Sequence, residues 1–239
     1  MRRGIDVSMF VDVDIRKYSP DFVIIRAGEG VVFKDSKAKH YAKVCADNGI
    51  PYGLYWVLDF DSGSPKQHVQ SLMNVISDLP GRVTMGIWAD VETPSAYDNV
   101  AISEFCEMVE DAGYYAGIYS GIMDIRTGKV GCERYDKWAA YYGPDSGSLD
   151  SFTTDEIDII KENASLWQYA SGSGKEPDLD ISFIDDLRVF DPRSSFDQPG
   201  VGGTSPWPPA ETPADLIEEC LEILDTLKNK LNTLKGDLK

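Results

Sequence analysis

Along roughly the first 190 residues, short apolar or β-branched runs alternate with longer segments whose apolar residues recur at helical spacing. This is the pattern of repeated βα units on a parallel sheet. Strands are predicted over 3–9, 22–27, 53–60, 83–92, 115–120, 137–142, 165–170 and 179–183, eight in all. Residues 36–48, 65–79 and 100–112 read as helices. Gly49 and Gly113 stop the first and third, because glycine takes the left-handed conformation of a helix end without a Cβ clash. Beyond the fifth strand the pattern thins: 122–136 supports only a short or irregular helix, and the last strands are joined mostly by loops. An open doubly wound sheet calls for a glycine-rich phosphate turn after its first strand, and Asp6-Val7-Ser8-Met9-Phe10 is not one. The predicted fold class is therefore α/β, an irregular β/α (TIM-like) barrel with eight strands occupying residues 1–193.

From 194 to 213 the sequence turns to Pro, Gly, Ser and Thr, as in Pro206-Trp207-Pro208-Pro209, which reads as a partly stiffened linker. In 214–239, Ile217, Cys220, Leu224, Leu227, Leu231 and Leu234 alternate steps of three and four, an a/d seam over three heptads. Leu216, Leu221 and Ile223 widen its first half, favouring more than two strands. A C-terminal coiled-coil-like helix forming a homo-oligomer is expected; the alternative is that it packs back on its own barrel.

The 40 acidic and 23 basic residues leave a net charge of -17, which argues against nucleic-acid binding, where cations must displace phosphate counterions. No apolar run approaches the roughly 20 residues that span a bilayer, so membrane insertion is not expected. Met1-Arg2-Arg3-Gly4-Ile5-Asp6 lacks the apolar core of a signal peptide, placing the protein at first in the cytoplasm. The four cysteines contain no C-x-x-C pair and read as mostly reduced. The two histidines, His40 and His68, sit outside zinc-hydrolase spacings and read as half-exposed surface residues, so neither a metal nor a cofactor is called for.

Catalytic groups of a β/α barrel sit at the C-terminal ends of its strands, where residues of one parity face the mouth. Asp90 and Glu92 share parity at the end of an apolar run, Gly86-Ile87-Trp88-Ala89-Asp90-Val91-Glu92. Other strands supply Asp6, Arg26, Tyr55, Tyr119, Tyr141, Trp167 with Tyr169, and Asp180. The predicted mouth is thus acidic and aromatic. Neighbouring carboxylates separate their pKa values, one staying ionised while another keeps its proton, and glycoside hydrolysis needs this division. For Trp167 or Tyr141 taken singly, core packing is the better reading.

The chain also resembles the family 25 glycoside hydrolases, lysozymes that cut bacterial peptidoglycan, many of them from bacteriophages. The segments that carry the resemblance are Gly4-Ile5-Asp6-Val7-Ser8, Phe22-Val23-Ile24-Ile25-Arg26-Ala27-Gly28-Glu29-Gly30, Gly49-Ile50-Pro51-Tyr52-Gly53-Leu54-Tyr55 and Asp90-Val91-Glu92. Three later ones follow in the family's order: Ala112-Gly113-Tyr114-Tyr115-Ala116-Gly117-Ile118-Tyr119-Ser120, Trp167-Gln168-Tyr169 and Leu179-Asp180-Ile181-Ser182-Phe183-Ile184. The resemblance implies a β/α barrel cleaving the β-1,4 bond between N-acetylmuramic acid and N-acetylglucosamine. By match, Glu92 is the general acid/base, Asp90 steadies the 2-acetamido group or the developing cation, and Asp6 and Asp180 tune charge and position substrate. Arg26, Tyr55, Trp88, Tyr119, Tyr141, Trp167 and Tyr169 are the expected substrate-binding residues. The first loop departs from the family: Met9-Phe10-Val11-Asp12 stands where Gln-Gly followed by Asp and Trp is common. The implied setting is a phage endolysin held in the host bacterial cytoplasm until release, with peptidoglycan as partner. The competing readings are a non-catalytic, multivalent peptidoglycan-binding protein on the same barrel, and an enzyme on chitin. Against chitin, the residues before Asp90 lack the upstream aspartates of the chitinase pattern.

Overall fold

The structure, a computed structural model, describes residues 1–172 and 174–192. The expected linker and heptad helix, and Cys220 with them, lie outside the described residues. Nine strands occur among those described: β1 (Arg2–Val7), β2 (Phe22–Glu29), β3 (Phe33–Lys34), β4 (Tyr52–Val57), β5 (Val83–Asp90), β6 (Ala116–Gly121), β7 (Asp136–Ala140), β8 (Leu166–Ala170) and β9 (Asp178–Ser182). Eight of them close a ring in the order β1-β2-β4-β5-β6-β7-β8-β9 and back to β1. The eight predicted strands are all present, and the extra β3 only extends β2 as a two-residue hairpin.

The ring departs from a wholly parallel barrel in one place: β9 runs antiparallel to both β8 and β1. Its first residue, Asp178, therefore lies at the mouth beside Asp6, while Asp180 pairs lower down with Gly4. A second irregularity sits in β5, where Gly86 takes φ +74 and the register against β4 slips between Tyr52 and Leu54. The left-handed residue lets Met85 and Trp88 both enter the same interior cluster, and it resets parity so that Asp90 also points inward.

Helices α1 (Ala38–Asn48), α2 (Pro65–Ser77), α3 (Asn99–Asp111), α4 (Ile122–Arg126) and α5 (Thr154–Asn163) follow the strands. Ser64 and Gln67 form a capping box ahead of Pro65 at the start of α2, and the Asp98 side chain accepts from the Val100 and Ala101 amides at the start of α3. Gly49 ends α1 at φ 66, as predicted. α5 corrects the expectation of plain loops between the last strands. Its capping box, Thr153 with Glu156, is legible in the sequence, but its apolar face is thin, with Ile160 as its one buried residue.

The barrel interior is filled by Phe22, Ile24, Met85, Trp88, Trp138, Leu166 and Phe190. A second core lies outside the ring near α4 and α5, where Ile122, Ala139, Phe152, Ile160, Trp167, Tyr169 and Ile181 pack together. Cys45, Cys106 and Cys132 are free thiols. No helix of the described residues is long and apolar enough to cross a membrane.

Candidate active site

At the C-terminal ends of the parallel strands a cavity of about 180 Å³ opens, lined by Asp6, Tyr55, Asp90, Glu92, Tyr119, Trp138, Tyr142, Gln168 and Asp178. Each strand delivers its group by parity. Asp6 is the penultimate residue of β1, within its buried run, and Asp90 the last residue of β5. Glu92, two residues on, remains solvent-exposed at the rim. The mouth is acidic, as the sequence predicts, and five of the predicted residues meet there: Asp6, Tyr55, Asp90, Glu92 and Tyr119.

Gln168 is the centre of the hydrogen bonding. Its Nε2 donates to Asp6 Oδ2 at 2.7 Å and to Asp178 Oδ2 at 2.8 Å. Its Oε1 accepts from the Tyr119 and Tyr142 hydroxyls, each at 2.7 Å. All four hydrogen-bonding positions of the amide are used, so its orientation is fixed: carboxylates need donors and therefore take the amine end. Asp178 Oδ1 also accepts from the Gly172 amide at 2.6 Å. A Cβ at Gly172 would stand 1.8 Å from the Glu176 carbonyl oxygen, so the turn presenting this amide requires glycine.

Below Asp6 lies Asp180, buried to 1% exposure, with Oδ1 accepting from Trp138 Nε1 at 2.9 Å. Its other oxygen is buried without a hydrogen-bond partner among the described residues, and burial first, then the charges of Asp6 and Asp178, push the Asp180 pKa well up. The placement of Asp180 at the mouth is thus corrected. Because β9 is antiparallel, Asp178 takes the cavity position and Asp180 supports Asp6 from beneath.

Crowding of carboxyls in a space poor in water pushes the pKa of the whole cluster up. Burial acts first on Asp6, with the charge of Asp178 second. Burial also dominates for Asp90, followed by Glu92, against a lowering by Arg26. Glu92 is raised by partial loss of water around its carboxyl and then by Asp178, and Asp178 is raised by burial against the Gly172 amide. The group at the open rim is thus one that keeps a proton to higher pH than an ordinary glutamic acid.

The remaining predicted site residues stand elsewhere. Arg26 is beside the cavity, ion-paired with Glu29 at 2.5 Å. Trp88 is wholly buried in the barrel interior, where its Nε1 donates to the Met85 carbonyl. Trp167, Tyr169 and Tyr141 face the outer core, Tyr141 donating to Glu156 of α5 at 2.8 Å. On β8 and β7 the opposite parity faces in, so Gln168 and Tyr142, the sequence neighbours of these residues, reach the cavity instead. The polar amide between two aromatics in an apolar strand was the available signal for Gln168, and the antiparallel return of β9 hid Asp178. His68 is also corrected: it is fully buried, its Nδ1 accepting from Trp56 Nε1 at 3.2 Å and its ring facing the Asp59 carbonyl at 3.0 Å. Burial lowers its pKa, and it is a neutral packing residue away from the mouth.

A carboxyl cluster on a barrel mouth, with a glutamic acid at its open rim, is the arrangement that acid–base hydrolysis of glycosidic bonds requires. The model of the family described as "Glycosyl hydrolases family 25" matches residues 5–177, and the chain belongs to that family. A search of curated protein sequences gave no match. Among solved structures, a muramidase from Acremonium alcalophilum superposes with a TM-score of 0.62 at 21% identity, covering 80% of this chain and 99% of that one. The catalytic domain of the endolysin ply40 from bacteriophage P40 of Listeria monocytogenes gives 0.61 at 23% identity, over 80% of this chain and 98% of that one. A family 25 glycosyl hydrolase from Bacillus anthracis gives 0.60 at 20%, over 80% and 94%. At these identities the likeness establishes a shared fold.

Proposed function

We propose that the protein is an N-acetylmuramidase that cleaves the β-1,4 bond between N-acetylmuramic acid and N-acetylglucosamine in bacterial peptidoglycan. The observation that carries this reading is the rim position of Glu92, with its raised pKa, next to the buried Asp90 in a carboxylate-lined cavity on a family 25 barrel. Glu92 donates its proton to the glycosidic oxygen as the bond to C1 breaks. Asp90, with its negative neighbours, stabilises the positive charge left on the sugar. Water then adds to C1 and returns its proton to Glu92. Asp6 and Asp178, held by Gln168, position the substrate, and Asp180 lies buried beneath Asp6. Glu92→Gln is expected to abolish release of new N-acetylmuramic acid reducing ends from purified peptidoglycan, read by mass spectrometry of the sugar ends. Binding of the wall with no release by the unaltered protein would instead favour a non-catalytic binding protein.

The setting proposed is that of a phage endolysin kept in the host cytoplasm until release. The heptad pattern of 214–239, behind its proline-rich linker, supports self-association that raises avidity for the wall through several linked weak sites. Deleting 195–239 is expected to yield a smaller species by light scattering and weaker wall pelleting. Unchanged size and pelleting would rule this out.

A further inference from the structure

The loop that follows Asp6 holds its neighbours firmly and turns one aromatic outward. The Met9 amide donates to Asp35 Oδ2 at 2.9 Å, Asp35 being itself buried. Val11 is buried, and its carbonyl accepts from Tyr41 Oη and Lys37 Nζ, both at 2.7 Å. Phe10, pinned between these two anchors, is 65% exposed. Across from it Phe33 of β3 is also exposed, and its neighbour Val32 is 85% exposed. The Arg26 guanidinium lies over both rings, its carbon 5.5 Å from the Phe10 centroid and 5.0 Å from that of Phe33. Only 11% of the Arg26 side chain is exposed, and its charge is already met by Glu29. Each ring thus spends one side on the cation. Exposed apolar surface of this kind on well-anchored backbone marks a recognition surface.

The occupant follows from size and chemistry. A cavity of about 180 Å³ is smaller than the roughly 300–1,000 Å³ that encloses an ordinary ligand, so a polymer entering it continues over the rim. Phe10 follows β1 and Phe33 lies in β3, the hairpin that extends β2, so both are carried at the strand ends where the cavity opens. We infer that Phe10 and Phe33, braced on Arg26, form a carbohydrate subsite that takes a sugar ring of the glycan strand outside the catalytic cavity. The C–H face of a pyranose is apolar and suits an aromatic face, whereas an anionic peptide stem would need a free cation, and Arg26 is paired. This rests on the muramidase reading for the identity of the polymer.

The test uses peptide-stripped glycan strands and the full chain. In a Glu92→Gln background, binding of stripped strands by calorimetry is expected to weaken about tenfold with Phe10→Ala, an aromatic contact of ~1.4 kcal/mol, and to recover with Phe10→Tyr. In the active protein the same Phe10→Ala change is expected to raise KM on stripped strands with kcat retained, and Phe33→Ala to act in the same direction. Binding that ignores both substitutions overturns the subsite. A defect confined to peptide-bearing strands also overturns it, assigning the patch to the stem. Phe10-dependent binding by a protein that releases no sugar ends would leave the subsite standing and remove the muramidase reading.

Discussion

Gln168 decides the polarity of the whole cavity. With its amine end committed to Asp6 and Asp178, its carbonyl must receive both tyrosine hydroxyls, so Tyr119 and Tyr142 turn their protons away from the space a substrate enters. Oxygen lone pairs of four carboxyls and two hydroxyls are left facing that space, an environment for hydroxyl and amide N–H donors of a sugar. Gln168→Leu removes two donors from carboxylates and strands two hydroxyls. A charge-assisted bond is worth ~1.5–3 kcal/mol, so kcat/KM is expected to fall about ten- to hundredfold at every pH. Gln168→Glu keeps the shape but adds a carboxyl where Asp6 and Asp178 need donors. Its loss should be severe at neutral pH and lessen as the pH is lowered and the new group takes up a proton. A pH profile of kcat/KM for both variants checks this, and a Gln168→Glu profile parallel to that of Gln168→Leu, or no fall in Gln168→Leu, would mean that the amide only fills space.

At the scale of elements, the strands announce themselves but their directions and faces do not. All eight ring strands follow from apolar runs, because a strand buried on both sides needs little else. Asp90 with Glu92 was legible, since a pair of carboxylates closing an apolar run has few other uses. Three features hid the rest. An alternation of apolar residues on both faces of β7 and β8 carries no parity signal, so Tyr141, Trp167 and Tyr169 stood in for Tyr142 and Gln168, and only the buried amide told against it. The ladder of β9 against β1 and β8 is a non-local fact, and reversing that strand exchanges Asp180 for Asp178 at the mouth. The turn at Gly172, which supplies an amide to Asp178 six residues later, depends on a backbone approach invisible until the chain is folded. By contrast α5 could have been found from its Thr153–Glu156 capping box, a local signal outweighed by a weak apolar face.

At the scale of the molecule, the acidic mouth sets how stability depends on pH. Asp6, Asp90, Glu92, Asp178 and Asp180 all have folded pKa values above those of free carboxyls, with burial the leading cause in each. The folded state therefore binds more protons than the unfolded chain above about pH 4, and stability contributed by these groups is lost as pH rises through their folded values. Exposed carboxylates act in the opposite sense. Asp186, held by Arg188 at a pKa of about 2, favours the fold above the unfolded value and loses that contribution as pH falls. The surface terms are small and screened, so the mouth dominates and the barrel is expected to be most stable in mildly acidic solution. Asp180→Asn isolates one such effect at a buried position outside the cavity. The asparagine can still accept from Trp138, but it has no carboxyl proton to lose. Urea midpoints at pH 5, 6.5 and 8 should fall with pH in the unaltered protein and fall less in Asp180→Asn, leaving the variant the more stable of the two at pH 8. Parallel lines would show that Asp180 is ionised in the fold. Asp6 would then face a second buried charge from below, and the stability lost at high pH would have to come from the cavity carboxyls alone.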